Sequence, residues 1–443
     1  MELTIVYEIG STTTVVSAFN LQGTPALVGQ GQAPTTVLEG DVSLGLKNAL
    51  LDLKGKIGDF TVKEALASSS AAGGLKMTVH GLVYNMTAKA AKEAALGAGA
   101  IISFITAGKL MASDLKKIKE INPKLILLAG GVDFGERETV VYNAQKLKDA
   151  GINIPVIYAG NIACREDIRE IFGEDYPLYI VDNVYPKIDE LNVEPARKII
   201  QKAFEQHIIH APGMEKIREM VEGPIIPTPG AVMESARILA EELGPLMVFD
   251  VGGATTDVHS VADDPPGSEK LIVTPEPKAK RTVEGDLGVY VNARQVVELI
   301  LGENPVKEEV EKYEKLLSEH KPLPQTPEDI AFTEELTRKA VVTAAYRHAG
   351  KVKYFFTATG RQAYIEGKDL TGVRYMIGTG GALTRLPAGR EILHDLKNHL
   401  RPEDLLPKDY EVLLDRQYIM APVGVLAKKY PDQAKMLLLG TVL

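Results

Sequence analysis

Two stretches far apart in this chain obey one grammar, and the repetition restricts the available folds more than any other feature. Residues 246–261, LMVFDVGGATTDVHSV, put an apolar run, an acid, two glycines, a hydroxyl cluster and a second alternating run in succession. The first run suits a buried strand ending at Asp250, and the alternation beyond Thr256 suits its return. Gly252 and Gly253 permit a tight turn with outward amides, Ala254 continues it, Thr255 adds a hydroxyl donor, and Asp257 adds a second carboxylate, which together suit an anion cradle. About 240 residues earlier, LTIVYEIGSTTTVVSAF (residues 3–19) repeats the order: strand, Glu8, Gly10, the hydroxyls Ser11, Thr12 and Thr13, and a returning strand. Two similar halves gripping one ligand are the expected outcome. A carboxylate beside a phosphate cradle calls for a cation between them, so Mg2+ is expected at Asp250, directly or through water.

A third glycine loop follows. Residues 375–387, YMIGTGGALTRLP, read as a short strand running into Gly378, Gly380 and Gly381, then a helix start at Ala382 whose amides can meet a phosphate or a nucleoside edge. Three loops in this order resemble the actin, Hsp70 and sugar-kinase superfamily of two-domain ATPases over nearly the whole chain. The stretches GSTTT (10–14), LLAGGVD (127–133) and RTVEGDLG (281–288) narrow the resemblance to the MutL-type accessory factors of adenosylcobalamin-dependent glutamate mutase and ornithine aminomutase. The resemblance implies an α/β, actin-like ATPase fold of two RNase H-like domains around a nucleotide cleft. It further implies ATP or ADP as ligand, with Gly10 to Thr13 and Gly252 to Thr255 at the phosphates and Gly380 and Gly381 against adenosine. Asp250 and Glu8 would serve the metal, Asp250, Asp257 and Glu8 the catalysis, and a mutase would be the protein partner.

Composition bounds the alternatives. A net charge of −9 and the lack of a Lys/Arg block with interleaved aromatics argue against nucleic acid as a partner. The single cysteine, Cys164, excludes an intrachain disulfide and a cysteine-built zinc site, which favours a reducing interior. No apolar run reaches membrane-spanning length, and Glu2 stands where a secretory signal carries positive charge, so a cytoplasmic protein with no membrane association is expected. Whether the chain forms a homo-oligomer is left open.

The domain boundary is expected after Gly244. Residues 1–244 form a first domain, and 245–443 a second with a helical insertion and a C-terminal helix returning to the first. Helices are expected at 42–57, 87–99, 138–149, 165–172, 195–207, 231–243, 285–301, 306–320 and 332–350, from apolar spacing and end signals. Short apolar runs followed by helices between 124 and 181 imply parallel strands, with Gly130, Gly131 and Asp133 at the sheet edge where open α/β sheets place ligands. His80, in an alternating strand without a ligand-spaced partner, is expected to be structural. The turn 68–74 borders the cleft, 268–277 is an edge strand pair, 353–359 a strand, and the tail a strand at 417–421 followed by a helix from Pro422. Arg338 and Arg347 are placed beside the nucleotide by family analogy.

Two departures from the family pattern predict slow hydrolysis. Glu8 stands where Asp is usual, and Ile226 where Hsp70-like relatives carry a catalytic glutamate. The alternatives to a reactivating factor are a small-molecule kinase or hydantoinase-like ATP-dependent enzyme, and a nonhydrolysing nucleotide-binding scaffold.

Overall fold

The computed structural model describes residues 2–36, 39–71, 75–98, 100–188, 190–208, 213–266, 268, 271, 276–357 and 360–443. The expected turn at 72–74, most of the strand pair at 268–277 and the strand end at 358–359 lie outside the described residues. In chain order the strands are β1 (Glu2–Ile9), β2 (Thr13–Asn20), β3 (Ala26–Pro34), β4 (Thr61–Ser69), β5 (Lys76–Gly81), β6 (Ile101–Ala107), β7 (Leu125–Leu128), β8 (Val156–Tyr158), β9 (Leu178–Ile180), β10 (Ile225–Pro227), β11 (Leu246–Val251), β12 (Thr256–Val261), β13 (Ala279–Glu284), β14 (Lys351–Thr357), β15 (Gly360–Glu366), β16 (Tyr375–Thr379) and β17 (Glu411–Leu414).

The chain divides into two compact units: 1–71 with 211–273 and 281–443, and 72–210 with 274–280. The first unit contains two five-stranded sheets of one topology. In the first the order is β10-β4-β1-β2-β3; β1, β2 and β3 form an antiparallel meander, and β4 and β10 run parallel to β1. In the second the order is β13-β12-β11-β16-β17; β11 and β12 are antiparallel, while β16 and β17 run parallel to β11. Numbered within each sheet, both read 3-2-1-4-5, the mixed order of an RNase H-like domain. The expected boundary after Gly244 falls in this unit, between the helix Thr228–Leu243 and β11.

This topology explains the apolar composition of β1 and β11. Each is the central strand of its sheet, so both of its faces are covered, and Leu3 to Ile9 and Leu246 to Phe249 are buried accordingly. Around the second sheet Phe249, Val258, Val296, Leu336, Val341 and Leu393 share one core. The helices Thr228–Leu243 and Met420–Ala427 link the two sheets and touch backbone to side: a Cβ on Gly424 would overlap Ala231, and Ser235 Oγ donates to the Met420 carbonyl at 2.5 Å.

The second unit holds the sheet β6-β5-β7-β8-β9, parallel throughout as the sequence predicts. The strand order 2-1-3-4-5 is that of flavodoxin-like doubly wound sheets. His80 is buried in β5, with Nδ1 2.8 Å from Thr106 Oγ1 and Nε2 3.0 Å from Thr78 Oγ1, and burial holds its pKa down to about 3, so it is structural as expected. The carboxylate of Asp133 is occupied in joining loops, accepting from Ile162 N and Asn183 Nδ2, both at 2.9 Å.

The structure corrects two sequence expectations. The tail strand is Glu411–Leu414, and 417–421 is not extended: Asp415 accepts the Ile419 and Met420 amides at 3.0 and 2.8 Å, starting the helix Met420–Ala427, while Tyr418 takes φ +52°. The helix expected at 285–301 spans only Ala293–Leu301, because 289–292 is tied to the glycine turn described below. Arg338 and Arg347 are occupied by ion pairs, the first with Asp395 and Glu391, the second with Glu284 and Asp286.

Candidate nucleotide site

The two sequence repeats fold into two copies of one turn. Gly10 N donates to Thr13 O at 3.0 Å, and Gly252 N donates to Thr255 O at 3.0 Å. The flanking registers match as well: Glu8 pairs with Val15 across β1 and β2, and Asp250 with Asp257 across β11 and β12. Sharing one unit, the turns approach each other closely, since a Cβ on Gly253 would lie 2.8 Å from Thr12 Oγ1. A side chain there would have to displace the Thr12 side chain.

The carbonyls of the second turn are held from behind. Val289 N donates to Gly252 O, Tyr290 and Val291 N donate to Gly253 O, and Asn292 Nδ2 donates to Ala254 O. Among the described residues the amides of Gly253 and Ala254 have no acceptor, and both residues are half-buried. Unpaired amides in such a turn can donate to an anion. In the first turn Thr12 O accepts from Thr35 N at 2.9 Å, Ser11 is exposed, and Thr12 and Thr13 are half-buried.

The third loop meets the second at its acid. Gly380 has φ +83°, and a side chain there would overlap the Val251 backbone and lie 2.7 Å from Asp250 Oδ1. Gly381 differs, with nothing within 4 Å of the position a Cβ would take. Gly378 lies within β16, where its missing side chain leaves room for Leu393 and Leu414, and Ala382 is buried.

Four carboxylates converge beside these loops. Glu8 is buried at the end of β1; burial pushes its pKa up to about 7, against the Tyr418 hydroxyl, which donates to Oε1 at 3.1 Å. Glu8 Oε2 is buried with no partner. Asp250 is pushed up to about 8, first by burial and then by Asp257, Glu8 and Asp415, with Arg281 opposing. Asp257 is neutralised by Arg281, whose Nε and Nη2 lie 3.1 and 2.6 Å from Oδ1, both side chains being buried. Asp415, raised by burial, accepts four hydrogen bonds, from the Ile419 and Met420 amides and from Thr379 and Thr441 Oγ1.

Such a cluster fits a divalent cation shared with a phosphate. No group of three or more His, Cys, Asp or Glu arranged for a metal exists among the described residues. Mg2+ is commonly held by one or two carboxylates plus substrate phosphates and waters, which is what Asp250, Glu8 and the adjoining amides can supply. The unpartnered Glu8 oxygen and the mutual repulsion at Asp250 are what a cation there would relieve.

The profile of the MutL protein family matches residues 4–441. Protein MutL of Clostridium tetanomorphum is 38% identical over 462 residues, covering 98% of each chain. The chain belongs to the MutL protein family. Among solved structures it is similar to a nucleotide-free diol dehydratase-reactivating factor (11% identity, 98% and 100% of the two chains, TM-score 0.38). It is also similar to a ROK family glucokinase from Streptomyces griseus in complex with glucose and AMPPNP (11%, 95% and 97%, TM-score 0.36) and to a nucleotide-free acetone carboxylase (12%, 96% and 70%, TM-score 0.40). At these scores the fold assignment stands on the strand order of the two sheets.

In this MutL family member the structure brings together Glu8, Gly10, Thr12, Gly252, Gly253, Asp250, Asp257 and Gly380. Sequence reasoning missed Arg281, Asp415 and Tyr418. Asp415 carried a readable signal, an apolar run ended by an acid like those of Glu8 and Asp250; nothing local announces Tyr418, 410 residues from its partner.

The raised carboxylates give a pH prediction. Glu8 and Asp250 bind protons in the folded state up to about pH 7 and 8, whereas unfolded carboxylates release them near pH 4, so the folded state holds more protons between these limits. Stability of the ligand-free protein should therefore fall as pH rises from about 4 to 8. Thermal melts in matched ionic strength will show it, and a Glu8→Gln, Asp250→Asn double variant should flatten the slope. A slope unchanged in that variant would assign the pH dependence elsewhere.

Proposed function

We propose that this protein is an ATP-binding, slowly hydrolysing reactivating factor for an adenosylcobalamin-dependent mutase of the glutamate mutase or ornithine aminomutase type. The observation that carries the reading is the pair of superimposable glycine turns meeting at Gly253 and Thr12 beside Glu8 and Asp250. In this reading the free amides of the turns take the phosphates, and Gly381, with open space before it, faces the nucleoside. Asp250 and Glu8 would hold Mg2+, which when bound would offset the charge of the phosphates. Burial raises the pKa of both acids, which a bound cation would oppose, and the ion pair with Arg281 fixes Asp257 beside them.

Coupling to a partner follows from connectivity. Each sheet contributes one phosphate turn, and the helices Thr228–Leu243 and Met420–Ala427 link the sheets through the close Gly424 to Ala231 contact. A ligand gripping both turns shifts the angle between sheets by its differential affinity for the two arrangements, and a partner bound to one arrangement feels the same shift. The second unit supports a protein partner. Val83, Tyr84, Met111, Phe134, Ile162 and Ile188 are exposed, and all six lie in segments that follow the carboxyl ends of its five parallel strands. Phe134, 76% exposed at φ +62°, is held by Asn161 Oδ1 accepting its amide at 2.9 Å. Apolar side chains gathered at one sheet edge mark an interaction surface.

Slow turnover is supported by Ile226, buried in β10 beside Ser68 and unable to act as an acid or base, and by Glu8, whose longer arm is anchored on Tyr418. Glu8→Asp should hydrolyse ATP at an equal or higher rate in a phosphate-release assay, since the shorter carboxylate leaves Tyr418 and is free for the metal. Collapse of turnover would make Glu8 an essential choice.

The glycine loop gives a paired test. Gly380→Val should unfold the protein at markedly lower denaturant, because both its φ and its contacts with Val251 forbid a side chain. Gly381→Val should fold normally yet lose at least about tenfold in nucleotide affinity, about 1.4 kcal/mol. Unaltered affinity in a folded Gly381→Val protein would remove this loop from the nucleotide site.

The decisive assay incubates an inactivated mutase with this protein, fresh adenosylcobalamin and Mg-ATP, and measures recovered activity. Recovery that needs ATP supports the proposal. Absence of recovery with phosphorylation of a small metabolite would make the protein a kinase.

A further inference from the structure

The first unit has a basic pocket that neither of the two glycine turns lines, although Thr384 and Arg385, at the end of the third glycine stretch, form part of its wall. Its volume is about 220 Å³, and three cations, Lys56, Arg385 and Arg416, and three amides, Gln30, Gln32 and Gln417, surround it. Tyr418 forms part of the wall, and its hydroxyl reaches away to Glu8. No carboxylate lines the pocket. Lys56 Nζ donates to Asp52 at 2.7 Å, and Asp52 also accepts from Gln32 N at 2.8 Å. Arg385 donates to Gln32 Oε1 and stands over the Tyr418 ring, 5.2 Å from its centroid. The guanidinium of Arg416 has neither an ion pair nor a hydrogen bond among the described residues.

We propose that this pocket binds a small polyanion of the phosphate or dicarboxylate class at a site that adjoins the third glycine stretch and lies outside the two glycine turns. Its elements converge from distant parts of the chain: β3, the helix Val42–Ile57, the segment after β16 and the turn before the helix Met420–Ala427. Convergent cations create a local positive potential that raises the concentration of anions at the site. Two guanidiniums offer planar, bidentate donor sets matched to oxyanions, and the Gln32 and Gln417 amides add neutral donors that fix orientation, whereas the Gln30 amide already donates to Ser17 Oγ and Tyr418 O. The volume lies below the range of about 300–1,000 Å³ used by drug-sized ligands, which restricts the occupant to a small ion. Arg416 supplies the charge not already committed within the protein, so it should contribute most to affinity.

Calorimetric titration of the full chain with inorganic phosphate, and separately with malonate, tests the site and separates the two sources of the charge. Saturable one-to-one binding of at least one probe is expected, weakening on added chloride and falling at least tenfold in Arg416→Gln and in Lys56→Gln. Arg416 and Lys56 are exposed, so both variants should fold as the parent does. Their Mg-ATP affinity should stay at the parent value, which keeps failure here distinct from failure of the nucleotide reading. Lack of saturation by either probe at millimolar concentration overturns the proposal. So does phosphate binding of equal strength in parent and both variants, since that places the ion at the glycine turns instead.

Discussion

Arg281→Met is expected to destabilise the protein by about 3–5 kcal/mol, the usual consequence of stripping one partner from a buried ion pair. Arg281 and Asp257 are both buried, and Asp257 lies directly across the ladder from Asp250. Like charges opposed in this way repel, and the neighbouring Glu8 and Asp415 add to the field at Asp250. Arg281 is the cation that opposes them. Without it Asp257 must either remain charged with no counterion or take up a proton, and each route costs folding free energy. Urea unfolding followed by circular dichroism will measure the loss. Replacing both residues, Arg281→Met with Asp257→Leu, should recover much of it, because the charge and its partner leave together. A single variant as stable as the parent would show that the pair contributes nothing.

Asp250→Asn should show effects of opposite sign on stability and on binding. In the ligand-free protein the change removes a carboxyl that burial and three neighbouring acids push up to about 8, so stability at pH 8 should hold or rise. Binding of Mg-nucleotide should weaken at least tenfold, about 1.4 kcal/mol or more, and the difference between titrations with and without Mg2+ should shrink. Calorimetry and thermal melts on one preparation give both signs. A variant that loses stability and keeps Mg-dependent binding would remove Asp250 from the metal and make it a structural acid. The contrast separates a residue kept for function at a stability cost from one kept for packing.

Much of the geometry of the candidate site was legible because its signals are local. A glycine that accepts close approach, an acid at a strand end and hydroxyls in a turn lie within about ten residues of one another, as in 3–19 and 246–261. The charged helix expected at 306–320 appears as Lys307–Glu319 for the same reason, its apolar and acidic periodicity being contained within the segment. What escaped was non-local. Arg281 reads as one of many basic residues until β13 lies beside β12. Tyr418 reads as a strand residue until Asp415 takes the following amides and turns the chain into a helix.

The sequence by itself determined that two strand-turn-strand cradles, each led by an acid, exist and belong together, because period-2 apolar runs and glycine turns follow from local sterics. Tertiary structure alone decided the electrostatic state of those acids. Glu8 and Asp250 end the central strands of two sheets, and that position, rather than anything adjacent in the chain, buries Glu8 and half-buries Asp250, sets Asp415 and Asp257 against Asp250, and supplies Tyr418 as the partner of Glu8 and Arg281 as that of Asp257. Desolvation and charge interaction depend on what surrounds a group in space. The chain can announce a carboxylate, but only the packed sheets decide whether it is ionised before a ligand arrives.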